Sequence, residues 1–350
     1  MIIRNSCRHH AGHPVCFIVP PHILAHLAKN GTERQKNAAL HNLHVTGQFR
    51  GQRQAMLAVW GAIPTGTERR TIYDAEGAEQ LPGKLVRGET DKPSKDVSVN
   101  EAYDGSGATY DFYSEVFKRN SVDDRGLRLD STVHYGQKYD NAFWNGQQMI
   151  YGDGDGELFN RFTISLDVIG HELTHGVTQY EASLEYHDEP GALNESMSDV
   201  FGSMVKQYAK KQKVKDADWL IGAGLLAPGV KGVALRSMKA PGTAYDDPKL
   251  GKDPQPDSMK GYVKGPEDNG GVHINSGIPN RAFFLAATAL SPDGYAWDKA
   301  GPIWYEVLCN RLRPDSGFAD CAQLTIQVAK DMYGAQGKSA LQKAWKTVGL

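Results

Sequence analysis

The 350-residue sequence predicts an α+β fold of two lobes, strand-rich and then helical with a cleft between them, preceded by a small helical unit. Three observations predict it. Residues 56–162 read as short apolar runs broken at Tyr73-Asp74, Leu81-Pro82-Gly83, Asp104-Gly105 and Gly152-Asp153-Gly154-Asp155-Gly156, the punctuation of strands and turns. Beyond residue 165, apolar residues recur three and four apart, the period of a helix with one buried face. Ahead of both, residues 20–43 hold two short helical patterns, separated from the rest by Gly- and Gln-rich sequence with few apolar anchors.

Taken in order, Pro20-Pro21 starts a first helix whose stripe is Ile23, Leu24 and Leu27 and which Gly31 ends. A second helix is expected over 32–43, and Gly47 to Gln54 is read as a linker. One helix, over 109–120, interrupts the strand-rich region. Further helices are expected over 165–180, 192–213, 278–290, 300–312 and 318–333, and no repeat recurs at a period of 20–50 residues. The expected divisions are 1–54, 55–180 and 181–350.

Hydrophobic residues at 40% and charged residues at 23% are ordinary globular proportions, and a formal charge of −2 gives no basic field for nucleic acid or anionic lipid. The apolar run from Val15 to Val19 is five residues long and broken by Cys16, short of the roughly 7–15 that a secretory signal needs. No stretch reaches the roughly 20 apolar residues of a membrane span. The expectation is synthesis in the cytoplasm without a signal peptide, any export following a non-classical route. Cys7, Cys16, Cys309 and Cys321 lack CxxC spacing; Cys309 and Cys321 could pair, but free buried thiols fit a cytosolic product better.

The chemistry lies in His171-Glu172-Leu173-Thr174-His175. Leu166, Ile169, Leu173 and Val177 set this segment on an amphipathic helix, so His171 and His175, four apart, project from one side and can grip one ion. Downstream, Leu193, Met197, Phe201, Met204 and Tyr208 mark another helix, on which Glu195 and Asp199 face one way. Either pair alone could be a solvated helix face. Together they supply two imidazoles, a third ligand in Glu195, and in Asp199 an acceptor that orients a ligating ring; Asn194 is placed beside Asp199 in that supporting role. Without thiolates, and too rich in nitrogen for calcium or magnesium, the set suits zinc. Glu172 would take the proton of a zinc-activated water attacking a carbonyl carbon, which is hydrolysis.

The chain resembles the thermolysin-like (M4-type) metallopeptidases, in their short-propeptide branch. The resemblance covers about 71–350 and rests on Asn141-Ala142-Phe143-Trp144-Asn145-Gly146, Tyr151-Gly152-Asp153-Gly154-Asp155-Gly156, the HELTH segment, Gly191-Ala192-Leu193-Asn194-Glu195 and Asp268-Asn269-Gly270-Gly271-Val272-His273-Ile274-Asn275-Ser276-Gly277, in family order. It implies a thermolysin-like two-lobed fold and a zinc endopeptidase, a monomer acting on proteins and peptides. Its residues 1–54 would be an inhibitory propeptide and linker acting in cis. It implies zinc ligation by His171, His175 and Glu195, with Glu172 as base. His273 and Tyr186 would donate to the oxyanion, and Asp268 would hold the His273 ring. Asn141 and the Ala142 backbone would bind substrate backbone, and Arg236 a substrate carbonyl. Phe159, Phe162, Val168 and Leu235 would line the pocket for the residue after the scissile bond, implying cleavage on the amino side of bulky hydrophobic residues. Read without the family, His273 and Tyr186 could equally be structural, and the pocket residues core.

The sequence also departs from that pattern. Of the carboxylates of a paired calcium site, Asp167 and Asp218 remain, but Lys206, Leu220 and Ala223 stand where acids are expected, so little calcium dependence is anticipated. An aminopeptidase is a rival reading, but the Gly-x-Met-Glu-Asn strand that anchors a substrate amine is absent. A catalytically dead relative that binds peptides is another, opposed by the complete set of reacting residues. Cys16, ahead of Pro20-Pro21, could block the open zinc position as a thiolate; it could also be a free cysteine in a frayed terminus, with Cys7, His9, His10 and His13 as competing ligands.

Overall fold

The computed structural model describes residues 17–56, with side chains through residue 45, and residues 69–350. Cys7, Cys16, His9, His10 and His13 lie outside the described residues. Helix α1 (Pro21–Asn30) has Pro at its first position, where no hydrogen bond is lost, and buries Ile23, Leu24 and Leu27. Helix α2 (Glu33–Met56) begins at a reciprocal cap, Gln35 N donating to Thr32 Oγ1 while Thr32 N donates to Gln35 Oε1. It continues through the stretch expected to be a linker. Gln48, Arg50, Gln52, Arg53 and Gln54 are good helix formers, and Gly47 and Gly51 do not outweigh them.

The strand-rich lobe holds a five-stranded sheet in the order β2-β1-β3-β5-β4, formed by β1 (Arg70–Asp74), β2 (Lys84–Arg87), β3 (Leu129–Val133), β4 (Ala142–Trp144) and β5 (Gln148–Tyr151). The inner pairs β1/β3 and β3/β5 are parallel and the edge pairs antiparallel. Helix α3 (Val97–Phe117) starts twelve residues earlier than expected, capped by Asp96 Oδ1, which accepts from Ser98 N and Val99 N. Asp104-Gly105, read as a turn, lies inside it. A Cβ at Gly105 would stand 2.3 Å from Ile169 Cδ1, so this glycine serves close helix packing.

The helical region comprises α4 (Leu166–Tyr180), α5 (Asp188–Ala209), α6 (Asp268–Asn275), α7 (Gly277–Leu290), α8 (Ala300–Asn310) and α9 (Phe318–Val348), the last running past its expected end with a break at Gly334 (φ 64°). Two-stranded ribbons, β6 (Leu220–Ile221) with β7 (Arg236–Ser237) and β8 (Asp246–Asp247) with β9 (Gly251–Lys252), connect α5 to α6. One continuous apolar cluster joins both lobes and takes in Ile18, Val19, Ile23, Leu24 and Leu27 of the N-terminal segment. Cys309 and Cys321 are unpaired, and no helix among the described residues is long and apolar enough to cross a membrane.

Candidate active site

Two glycines bring the site helices together. A Cβ at Gly202 of α5 would stand 2.4 Å from the Asp167 carbonyl and 2.8 Å from His171 N, and one at Gly170 would stand 3.0 Å from Gly202 Cα, so α4 and α5 meet backbone to backbone. Consequently Asn194, Glu195 and Asp199 of α5 face His171 and His175 of α4.

His171 Nδ1 lies 2.8 Å from Asp199 Oδ1. His175 Nδ1 lies 2.9 Å from Asn194 Oδ1, whose amide is oriented by donation from Nδ2 to the Leu184 carbonyl. Both partners are acceptors, so each imidazole carries its proton on Nδ1. The bare Nε2 atoms then face each other at 3.0 Å, an arrangement of two lone pairs that repel unless a cation lies against both. Glu195 turns one oxygen to each, Oε2 at 3.5 Å from His171 Nε2 and Oε1 at 3.5 Å from His175 Nε2. These residues fit a zinc ion. Glu172 also lies within the cluster of His171, Glu172 and His175, whose ligand atoms fall within 4.8 Å of one another. It is placed differently: Oε2 accepts from Trp144 N at 3.0 Å, and Oε1 is buried without a partner.

The two carboxylates differ electrostatically. Burial, reinforced by the charge of Glu195, pushes the Glu172 carboxyl well above its ordinary range. Burial also opposes ionisation of Glu195, but His273, His175, His171 and Arg236 outweigh it and lower its pKa to about 2.

A left-handed turn over 268–271, with φ of 52°, 51°, 85° and 77°, swings His273 toward the metal cluster, which explains the Asn-Gly-Gly sequence there. Asp268 accepts from His273 Nδ1 at 2.6 Å and from His273 N at 2.9 Å. Tyr186 Oη donates to Glu195 Oε1 and lies 3.1 Å from His273 Nε2. Burial opposes a charge on His273, but Asp268 and Glu195 raise its pKa.

The N-terminal segment fills the cleft. Ile18 N donates to the Ala142 carbonyl at 3.1 Å, Val19 N to Asn141 Oδ1 at 2.9 Å, and Arg236 Nη1 to the Ile18 carbonyl at 3.3 Å. Phe17 packs on Phe143, ring centroids 4.6 Å apart. Phe159, Phe162, Val168 and Leu235 are buried in the cluster that includes Ile18 and Val19. The residues expected to hold substrate backbone thus hold this segment's backbone.

Arg236 has a second task that its sequence position does not reveal. Its Nε and Nη2 grip Asp199 at 2.9 and 2.8 Å, and Asn280 Nδ2 donates to Asp199 Oδ2 at 2.8 Å. Asn280 and the Trp144 N–H escaped the sequence reading, since neither stands at a ligand spacing and the second is backbone.

Residues 53–179 match the thermolysin metallopeptidase catalytic domain and residues 182–350 its alpha-helical domain. An extracellular metalloprotease of Pectobacterium carotovorum subsp. carotovorum is 53% identical over 338 residues, 96% of this chain and 97% of that one. This chain belongs to the thermolysin metallopeptidases. Among its other relatives, protease PrtS of Photorhabdus sp. (strain Az29) is 48% identical over 343 residues, covering 95% of this chain and 91% of its own. The solved precursor of protealysin, a metalloproteinase from Serratia proteamaculans, superposes with a TM-score of 0.88 at 55% identity, over 95% of this chain and 99% of its own. As a thermolysin-family protein the chain is a metalloendopeptidase, and its α+β architecture is the thermolysin-like one, with an N-terminal propeptide as in that precursor.

Proposed function

We propose that this chain is a zinc-dependent endopeptidase made as a zymogen, cleaving on the amino side of bulky hydrophobic residues. The observation that carries the reading is the path of residues 17–19: chain continues on both sides of the bonded Ile18, so the cleft admits an internal stretch of polypeptide, as an endopeptidase requires.

His171, His175 and Glu195 would hold zinc, which supplies positive charge to polarise the scissile carbonyl and acidify a water toward a pKa of about 7. Asp199 and Asn194 keep the imidazole protons on Nδ1, so that the Nε2 lone pairs are the ones that ligate. Glu172 takes the proton of the attacking water and returns it to the leaving amine. Tyr186 and His273 donate to the developing oxyanion, and Asp268 fixes the His273 ring. Asn141 and the Ala142 carbonyl accept from substrate N–H groups, Arg236 donates to a substrate carbonyl, and the apolar pocket of Phe159, Phe162, Val168 and Leu235 takes the side chain that follows the scissile bond. In the precursor, the backbone of Ile18 and Val19 occupies Asn141 Oδ1, the Ala142 carbonyl and Arg236.

The test is time-resolved mass spectrometry of the full chain, zinc-loaded, chelated and as Glu172→Gln, with a blocked peptide as second substrate. The zinc-loaded chain should shorten from its N-terminus and cut the peptide before a bulky apolar residue. Chelation should stop both. Glu172→Gln should retain one zinc per chain by elemental analysis yet lose about 10² to 10⁴ in rate or more. Activity within tenfold of the parent would reject Glu172 as the base.

A further inference from the structure

Helix α1 carries two histidines one turn apart, and both meet the catalytic body. His26 Nε2 lies 3.4 Å from the Pro248 carbonyl with its ring against Gly251, in a hollow lined by Lys231, Asp246, Asp247 and Lys252. His22 sits deeper in the interface: Nε2 is 3.0 Å from Tyr245 Oη, while Nδ1 is enclosed and has no hydrogen-bond partner. The charged groups facing His22 are Asp268 and His273 of α6, Arg236 of β7, and His26 on its own helix. Asp268 is the one acid among them, and both its oxygens are committed to His273.

We propose that His22 is a pH sensor in the interface between α1 and the catalytic body, and that its protonation loosens the N-terminal segment from the cleft. The inference rests on the reading of that segment as the inhibitory element. A neutral imidazole can leave one nitrogen bare at modest cost, but an imidazolium places a charged N–H at Nδ1 where nothing accepts it. Burial opposes the charge most strongly; Asp268 favours it, while His273, Arg236 and His26 oppose it, and the balance lowers the His22 pKa to about 4 from an ordinary 6.5.

The docked pKa lies below the free one, so the undocked segment binds the extra proton and acid favours undocking. Docking keeps its full strength above pH 6.5 and weakens as pH falls toward 4, by up to tenfold per unit. The whole span corresponds to a factor of about 300 in the docking equilibrium. A precursor that is stable at neutral pH would thus open after transfer to a mildly acidic medium.

The experiment uses the full-length, zinc-loaded Glu172→Gln precursor, which does not consume itself, and reads amide hydrogen exchange at Ile18 and Val19 from pH 7.5 to 4.5, corrected for intrinsic exchange. These amides are bonded to Ala142 and Asn141 when the segment is docked. Expected is a fall in protection of about 30-fold by pH 5 with His22 present, and a much smaller fall after His22→Gln, which keeps a donor for Tyr245 but does not titrate. An equal fall in both chains would assign the effect to other groups and overturn the proposal, as would protection that does not change with pH. Unprotected amides at pH 7.5 in both would show the segment undocked, and would overturn the reading on which the proposal rests. Should His22→Gln fail to dock, direct titration of the His22 ring by NMR decides: a midpoint below 5 supports the sensor, and one near 6.5 sinks it.

Discussion

Lys206 shows how one side chain can stand in for an ion. Its ammonium donates to Asp167 Oδ2 and Asp218 Oδ1, each at 2.8 Å, and to the Leu220 carbonyl at 2.7 Å. Burial works against this charge, but Asp167 and Asp218 outweigh it and raise the pKa, so the ammonium persists at any ordinary pH and the stability it supplies is lost only in strong alkali. The acid pair expected to survive from a cation site is thus already bridged by the chain's own ammonium. Millimolar calcium should therefore leave the melting temperature of the parent chain nearly unchanged, whereas specific binding at a hundredfold excess over Kd would add about 2.7 kcal/mol. Lys206→Met should cost about 3–5 kcal/mol, because Asp167 is fully buried and would lose the cation that faces it, keeping only the hydrogen bonds from Ser165 Oγ and Gly222 N. Scanning calorimetry with and without calcium checks both statements. A rise of many degrees in the parent would overturn the first, and a Met variant as stable as the parent the second.

At the level of elements, the site depends on how closely α4 and α5 approach. Gly202→Ala improves local helix propensity by up to about 1 kcal/mol. Against that, its Cβ meets the backbone of Asp167 and His171, which cannot rotate away. The clash should win, destabilising the chain by about 1–3 kcal/mol and separating His171 from Asp199. Zinc affinity, measured by competition with a chromophoric chelator, should fall at least tenfold; unchanged affinity would show that the helices yield elsewhere. The same contact explains what was legible in the sequence. Residues 167–179 of α4 and 191–207 of α5 are buried on every side, yet spacing of apolar residues and ligands identified both helices because their apolar positions still recur at the helical period. It misread Asp104-Gly105, where a glycine needed for contact with Ile169 has the signature of a turn, and it stopped α2 at residue 43 because residues 47–54 carry helix formers without an apolar stripe. Asn280 and the Trp144 N–H, which reach Asp199 and Glu172 from distant segments, have no spacing signal at all.

On the scale of the whole molecule, the N-terminal segment and the catalytic body share one core, and that sharing bears on the part given to Cys16. Ile23, Leu24 and Leu27 are each no more than 2% exposed. Burial of each contributes about 1.5–3 kcal/mol, and the backbone bonds of Ile18 and Val19 add directional anchoring. A thiolate at the open zinc position would contribute on top of this, but the cleft is already occupied by residues 17–19 without it. Docking is therefore expected to dominate inhibition. Leu24→Asp, which buries a charge in that core and replaces no residue of the site, should shorten the lifetime of the zinc-loaded precursor by at least tenfold at neutral pH. Cys16→Ser should shorten it by much less, and Cys7→Ser not at all. Lifetimes are read by mass spectrometry in dilute solution, so that attack of one molecule on another is slow. If Cys16→Ser accelerates conversion as much as Leu24→Asp does, the thiol holds the precursor closed and the apolar stripe serves only to deliver it; if Cys16→Ser converts no faster than the parent, the thiol has no part in inhibition.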